Sequence, residues 1–214
     1  MTENQTVNNS PEIAAETKKK SNTVLWVMMV LFVLPYVAAF YFYFNRDQLD
    51  LGLLTSNYGT IVTPVRQLPE YDFKNIDSAA FKLSSLKGRW ILLSIGSSSC
   101  QQDCADNLYK IRQIKKAVGQ EYKRISKLFF LMDQKNIASF KTRLKDYPDM
   151  DVIIPSGEGY EAYLSNFSYK DMNIEDSIFV IDPLGNFMMV YPKGADASKI
   201  LKDIERLLEV SKIG

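Results

Sequence analysis

The sequence predicts an α/β domain preceded by one membrane-spanning helix. Three observations support this fold class: an uncharged apolar run near the N-terminus, short apolar runs that alternate with amphipathic stretches further along, and two cysteines placed between these two kinds of element. Alternating strands and helices are typical of a largely parallel sheet with helices packed against it. A chain of 214 residues that is 46% hydrophobic has enough apolar side chains for one domain with a sizeable core.

The N-terminal apolar run has the length of a membrane span. Residues 23–44 carry no charge and are almost continuously apolar or aromatic, and about 20 such residues form a helix that crosses roughly 30 Å of hydrocarbon. Pro35 lies near the middle, where membrane helices tolerate proline. The run is longer than the apolar part of a signal peptide, so we expect an uncleaved anchor rather than a cleaved signal.

The charges that flank this run predict its orientation. Three lysines occupy positions 18–20, whereas Arg46 is the one basic residue that follows closely. By the positive-inside rule, residues 1–22 are a cytoplasmic tail and the chain after Arg46 lies outside. We therefore predict a single-pass protein of the bacterial inner membrane, with a tether over residues 45–69 and a periplasmic domain over residues 70–214.

The first half of the outer domain reads as strand, helix, strand, helix. Its predicted strands are continuous apolar runs, as expected for strands buried on both faces, and its main helix has an apolar stripe with helical period. The elements are an extended entry or hairpin at Phe73–Leu86, a strand at Trp90–Ile95, a helix at Asp103–Val118, a strand at Leu128–Met132 and a short helix at Ile137–Leu144.

The second half closes the domain with a hairpin and a helix. Between its two strands, Pro183 pre-sets φ and Gly185 supplies a positive φ, which is strong turn chemistry. The elements are a brief strand at Val152–Ile154, a helical turn at Gly159–Asn166, hairpin strands at Ser177–Ile181 and Phe187–Tyr191, and a last helix capped by Asp196 or Ser198. This order of elements is that of a thioredoxin-like fold.

The composition excludes several kinds of site. The chain has two cysteines and no histidine, so it has no Ser-His-Asp or Cys-His catalysis and no zinc site that contains histidine. The net charge of +1 argues against a nucleic-acid partner, because such proteins carry a basic excess. The chemistry must come from thiols, carboxylates, amines, hydroxyls and thioethers.

The two cysteines are the candidate functional residues. Cys100 and Cys104 lie between the first buried strand and the following helix. Residues four apart share one face of a helix, and the N-terminus of a helix lowers the pKa of a thiol. We expect both sulfurs at an exposed position above the carboxyl end of the strand, where open α/β sheets bind ligands.

Several uses of this pair are open. In a redox pair, Cys100 is the predicted nucleophile and Cys104 the resolving cysteine. Two thiolates also bind Cu(I), a soft metal. An inert disulfide is less favoured, because the loop that it closes is too short to stabilise the chain much. A peroxidase-like use, with Ser97 and either Arg89 or Arg112 as activating groups, is less favoured still.

Two segments resemble the Sco/SenC proteins. They are Leu86–Gly96, followed by the Cys-x-x-x-Cys motif, and Glu175–Gly185 across the late hairpin. Sco/SenC proteins are membrane-anchored, thioredoxin-like proteins that help assemble the copper centre of cytochrome c oxidase. The resemblance covers most of residues 70–210 and the single anchor. It implies a Sco-like fold, and a respiratory oxidase subunit or a copper chaperone as partner at the membrane.

The resemblance departs from the family at the copper ligands. Sco proteins bind copper with the two cysteines and a histidine just ahead of the late strand, and Asp176 takes that position here. Gln101 stands where the family has a proline after the first cysteine. Carboxylate is a hard ligand that suits Cu(I) poorly. Cys100 and Cys104 are therefore the expected metal ligands for Cu(I), in a weaker site, and Asp176 is expected to be a solvated loop acid or to modulate thiol protonation.

The function predicted from this resemblance is that of a Sco-like accessory protein in oxidase assembly. It acts through the cysteine pair, as a thiol–disulfide reductant or as a Cu(I) handler. Two alternatives are a general membrane-tethered thiol–disulfide oxidoreductase and a non-catalytic scaffold that docks a membrane complex.

Overall fold

A computed structural model describes residues 22–44 and 57–213 of the chain. The chain divides into two compact units, Met1–Ser56 and Asn57–Gly214. The predicted cytoplasmic tail and the first part of the predicted tether lie outside the described residues, apart from Asn22.

The first unit contains one long apolar helix, α1, at Thr23–Phe44. The helix has 22 residues with Pro35 inside it, and none of its residues is buried. Its most apolar window has a mean hydropathy of 2.3. The length and the apolar surface on all sides are those of a helix that can cross a bilayer, and its bounds are those that the sequence predicts.

The second unit is built on one mixed sheet of eight strands. The strands are β1 Thr60–Gln67, β2 Phe73–Asn75, β3 Ala80–Phe81, β4 Trp90–Gly96, β5 Ile125–Leu131, β6 Met150–Pro155, β7 Ile178–Ile181 and β8 Asn186–Tyr191. Their order in the sheet is β1-β8-β7-β4-β5-β6-β2-β3. The three central strands β4, β5 and β6 run parallel, and β7 and β8 continue the sheet antiparallel beyond β4.

Four helices of this unit pack on the two faces of the sheet. They are α2 Gln102–Ala117, α3 Ile137–Leu144, α4 Tyr160–Leu164 and α5 Ala197–Val210, and 3-10 turns lie at Leu83–Leu86, Gly119–Arg124 and Ser165–Phe167. Successive residues of β4 face opposite sides. Leu93 joins the core on the side of α4, and Leu92 joins the core under α2 and α5. The fold is therefore a mixed sheet with helices on both faces, and its α/β class is the one that the sequence predicts.

Strand β1 lies within the segment predicted to be a tether. Thr60–Gln67 pairs antiparallel with β8 and forms one edge of the sheet. The segment has β-branched residues, but it lacks a continuous apolar run and Pro64 interrupts it, and in the structure Val62 is its one buried residue. Proline cannot donate to a ladder and is confined to edge strands. This edge position explains both the proline and the missing apolar pattern.

A buried carboxylate fastens the start of this unit to α5. Asp203 is 2% exposed, and its Oδ2 accepts hydrogen bonds from the backbone N–H of Tyr58 and Gly59, each at 2.8 Å, and from the hydroxyl of Tyr191 at 3.0 Å. Burial and then the Asp203 carboxylate raise the pKa of Tyr191, so its hydroxyl stays protonated as a donor. A Cβ at Gly59 would lie 2.6 Å from the Tyr191 ring, so only glycine fits there.

We expect Asp203→Ala to lower the free energy of unfolding by about 2–4 kcal/mol, because it leaves buried donors without an acceptor. Denaturant unfolding of the full chain in detergent, followed by the fluorescence of buried Trp90, measures this effect. Glu205→Ala on the exposed face of the same helix is the control and should change the stability little. Equal effects of the two substitutions would contradict this account of Asp203.

Candidate functional site

Cys100 and Cys104 form a disulfide at the carboxyl end of β4. Cys100 ends the loop that leaves β4, and Cys104 lies in the first turn of α2. Their Cα atoms are 5.1 Å apart. The structure thus brings the two predicted residues together, at the edge of the sheet where the sequence analysis expects them.

The expected exposure of the pair is wrong. Cys100 is 2% exposed and Cys104 is 8% exposed, and both belong to an apolar cluster with Leu108, Phe129 and Phe140. The sequence places the pair between a strand and a helix, but it does not reveal that the rings of Phe129 on β5 and Phe140 on α3 cover the sulfurs. The oxidised pair is therefore shielded, and a partner can reach it only after a local opening.

Gly96, the last residue of β4, makes room for the disulfide. A Cβ on Gly96 would lie 3.2 Å from the ring of Phe129 and 3.7 Å from Sγ of Cys104. The first of these distances is too short for the tightly packed ring to accept without moving. A side chain at this position would therefore push Phe129 and disturb the packing around the sulfurs.

The backbone of Cys100 is held in the left-handed region, with φ of 37°. This conformation costs a residue with a side chain about 1–2 kcal/mol. The turn that holds it is closed by a hydrogen bond from the Cys100 N–H to the carbonyl oxygen of Ser97, at 3.2 Å. Cys104 by contrast has ordinary helical surroundings within α2.

A serine and an aspartate join this loop to the end of β5. The hydroxyl of Ser98 donates to Oδ1 of Asp133 at 2.5 Å and accepts from the N–H of Asn136 at 2.9 Å. The N–H of Ser98 also donates to Oδ2 of Asp133 at 3.2 Å. The hydrogen bond from Ser98 is the main reason that the pKa of Asp133 lies below its usual value. The sequence contains a signal for this contact. The serine-rich loop follows β4 and Asp133 follows β5, and parallel neighbouring strands end at the same edge of a sheet.

Asp176 is held against the start of α2 by an ion pair. Its carboxylate lies 3.6 Å from Nζ of Lys193, which also contacts the carboxylate of Asp103 at 2.5 Å. The Asp103 carboxylate is the main reason that the pKa of Lys193 is raised. Buried Asn107, one turn beyond Cys104, donates through its amide to the carbonyl oxygen of Asp176 at 3.2 Å. Asp176 is therefore an engaged side chain rather than a solvated loop acid.

The donor set does not fit the three-ligand copper site of the Sco family. The chain has no histidine, and residues 22–44 and 57–213 contain no group of three or more Cys, Asp or Glu side chains that could hold a metal ion. The Asp176 carboxylate also accepts a hydrogen bond from Asn173 at 3.1 Å. Two sulfurs are what remains for a soft metal when the disulfide is reduced.

The arginines considered for a peroxidase-like site lie away from the sulfurs. Arg89 precedes β4, whereas Cys100 follows the other end of that strand. Arg112 lies in the second half of α2, two turns beyond Cys104. Sequence proximity alone suggested this site, and the length of the strand and of the helix separates its parts.

A family model matches more than half of the chain. Residues 90–211 match the C-terminal domain of the transmembrane-like, thioredoxin-like proteins. The chain belongs to this family. No curated relative matches it by sequence.

Solved structures share the fold of this transmembrane-like, thioredoxin-like protein. Yeast Sco1 with copper bound is 15% identical with a TM-score of 0.58, and the match covers 68% of this chain and 90% of that chain. BsSco, a Sco-family cytochrome c oxidase assembly protein with a disulfide switch, is 20% identical with a TM-score of 0.54, over 71% of this chain and 99% of that chain. The thioredoxin domain of a thiol-disulfide oxidoreductase from Bacteroides vulgatus is 13% identical with a TM-score of 0.52, over 66% and 95%. The predicted Sco-like, thioredoxin-like fold is confirmed.

We expect the contact between Ser98 and Asp133 to make stability depend on pH. The lowered pKa of Asp133 means that its contribution is fully present above the ordinary carboxyl pKa of 3.8 and is lost as the pH falls through the folded-state pKa. The stability lost in Asp133→Asn should therefore be largest above that pH and fade in more acidic solution. Urea unfolding of the oxidised full chain over a pH series measures it.

Asp146→Asn is the matched control, because the side chain of Asp146 is exposed and the hydrogen bond from Arg112 goes to its backbone carbonyl rather than to its carboxylate. It should change the pH profile little. A loss in Asp133→Asn that is constant with pH would show that the charge of Asp133 does not stabilise the loop.

Proposed function

We propose that this protein is a membrane-anchored thiol–disulfide exchange protein of the Sco type. It reduces a cysteine pair on a partner, either a subunit of a respiratory oxidase or a copper chaperone, on the outer face of the bacterial inner membrane. The observation that carries the proposal is the disulfide between Cys100 and Cys104 at the carboxyl end of β4. Open α/β sheets bind their ligands at this edge.

Two further features support the proposal. Helix α1 has the length and apolar surface of a membrane anchor, and the preceding lysines favour a cytoplasmic N-terminus. Proteins with this fold include a Sco-family oxidase assembly protein with a disulfide switch and a thiol-disulfide oxidoreductase. The shared fold and the Cys100–Cys104 disulfide support the same chemistry for this chain.

The exchange starts from the reduced pair. The thiolate of Cys100 attacks one sulfur of the partner's disulfide, so that a mixed disulfide forms and the other partner sulfur leaves as a thiolate. Cys104 then attacks the Cys100 sulfur and releases the second partner thiolate. Two electrons and two protons pass to the partner, which becomes a dithiol, and the Cys100–Cys104 disulfide remains. A dithiol donor must reduce this disulfide before the next cycle.

The backbone favours Cys100 as the attacking residue. It lies in a loop with a strained left-handed conformation, whereas Cys104 is fixed within α2. When the disulfide is reduced, the loop is free to leave this conformation and carry the Cys100 sulfur out of the apolar cluster. Burial in the apolar cluster disfavours a thiolate, whereas the first turn of α2 favours the thiolate of a Cys100 that has left the cluster.

Complementation of a gene deletion tests this function. Deletion should lower oxidase activity and the content of its copper centre, and the wild-type gene should restore both. The Cys100→Ser, Cys104→Ser double variant should fail, while Ser99→Ala in the same loop should succeed because it keeps both sulfurs. In cells, Cys104→Ser should accumulate mixed disulfides through Cys100, and Cys100→Ser should accumulate far fewer.

The deletion strain, together with an insulin-reduction assay, separates the alternatives. Full oxidase activity in the deletion strain would overturn the oxidase assembly role, and insulin reduction as fast as that of a thioredoxin would then favour a general oxidoreductase. Rescue by the double variant would favour a scaffold. Mixed disulfides that accumulate through Cys104 instead would reverse the order of the two cysteines.

Copper is not required for this exchange, and we expect it to bind only weakly. The reduced pair offers two thiolates, so at most one Cu(I) should bind per chain, and the double serine variant should not bind it. Competition between the reduced full chain in detergent and a Cu(I) chelator measures this affinity. Asp176→Ala is the matched control and should leave the affinity unchanged, since its carboxylate is a hard ligand engaged with Lys193. Loss of binding in this variant would identify Asp176 as a third ligand.

A further inference from the structure

A basic pocket lies at the far end of α2 from the cysteines. It has a volume of about 230 Å³. Its walls come from the second half of α2, the following 3-10 turn, the start of β5 and the loop before β6. The side chains that define its chemistry are Arg112, Lys115, Lys116, Tyr122, Lys127 and Asp149.

Lys127 is the unusual residue of this pocket. It lies on β5, whose residues are all buried, and is itself 4% exposed. Its ammonium group donates to the carbonyl oxygen of Pro148, and no carboxylate of the described residues lies within salt-bridge distance of it. A buried cation is costly unless an anion pairs with it. The pocket therefore presents a cation whose counter-ion is not supplied by the described parts of the chain.

Arg112 is fixed in place beside the pocket. Its Nη1 donates to the carbonyl oxygen of Asp146 at 2.7 Å. Its guanidinium lies over the rings of Tyr109 and Tyr147, at 5.3 and 5.1 Å from their centres. Its buried Nε has no hydrogen-bond partner within residues 22–44 and 57–213. An arginine held in this way is pre-organised, so that an anion needs to order little when it binds.

The charges around the pocket are unbalanced. Its lining has four cationic side chains and one carboxylate, that of Asp149. Asp151 lies near and contributes a second negative charge, although burial raises its pKa. Burial, and then the charge of Lys115, lower the pKa of Lys127, although Asp149 opposes them. The C-terminus of α2 favours nearby cations such as Lys115 and Lys116, but it does not account for a buried lysine on a strand.

We propose that this pocket binds a phosphate group, held by Arg112, Lys115 and Lys127. The pocket is smaller than the roughly 300–1,000 Å³ of most small-molecule sites, so it suits one phosphate rather than a nucleotide. Two sources present this chemistry: a soluble phosphate compound, and the headgroup of an anionic phospholipid. The site is independent of the exchange reaction, because Cys104 and Lys115 lie eleven residues apart along α2, about 16 Å.

The test measures protection of Lys127 in the full chain, embedded in phosphatidylcholine nanodiscs. Inorganic phosphate is titrated against chloride at matched ionic strength, and the rate of reductive methylation of each lysine is read by mass spectrometry. Phosphate should slow the methylation of Lys127 with a saturable dependence, while chloride should not. A second series, in nanodiscs that contain phosphatidylglycerol and no added phosphate, tests the lipid source.

Two variants give the site its controls. Lys115→Gln removes a half-buried cation of the pocket. It should raise the phosphate concentration that gives half-maximal protection of Lys127 by about tenfold or more. Lys202→Gln removes an exposed cation of α5 outside the pocket and should leave it unchanged. The double cysteine variant should also retain it, so that a failure of the exchange function does not affect this test.

Each outcome decides the proposal. Protection by inorganic phosphate supports a soluble ligand, and protection by phosphatidylglycerol alone supports a lipid headgroup. Absence of protection by both probes would overturn the proposal. Equal protection by chloride, or equal affinities in Lys115→Gln and Lys202→Gln, would also overturn it, since these results would indicate general screening of surface charge.

Discussion

The burial of β4 on both faces is the constraint on which the rest of the second unit depends. All seven residues of β4 are buried, between a parallel neighbour β5 and an antiparallel neighbour β7. Its pairing with β5 runs from Trp90 opposite Ile125 to Gly96 opposite Leu131, so the two strands end at the same level. The loops that follow therefore meet, and the start of α2 is fixed above them. The location of the disulfide is a direct consequence of this register.

Polar contacts organise the surroundings of the disulfide without a third metal ligand. Ser98 and Asp133 join the loops after β4 and β5. On the other side, Asn107 and Lys193 hold the segment of Asp176 against α2. The segment of Asp176 is held by hydrogen bonds and charge alone, so the oxidised site is held in place without a metal.

The parts of the structure that the sequence could predict are those with a strong local signal. Continuous apolar runs placed the central strands, helical stripes placed α2 and α5, and the spacing of Cys100 and Cys104 indicated their contact. Strand β1 was not predicted, because an edge strand with Pro64 has neither alternation nor a continuous apolar run. The burial of the cysteines and the pairing of Asp176 with Lys193 depend on rings and charges that approach from distant parts of the chain. Such contacts have no signature in the residues beside them.

The two outer strands of the sheet have a consequence for contacts between copies of this protein. At one edge, β1 contains Pro64 and an irregular register with β8, and at the other edge β3 has only two residues, Ala80 and Phe81. Neither offers a long row of free backbone groups on which a second sheet could grow. Edges of this kind disfavour edge-to-edge pairing between the sheets of neighbouring copies.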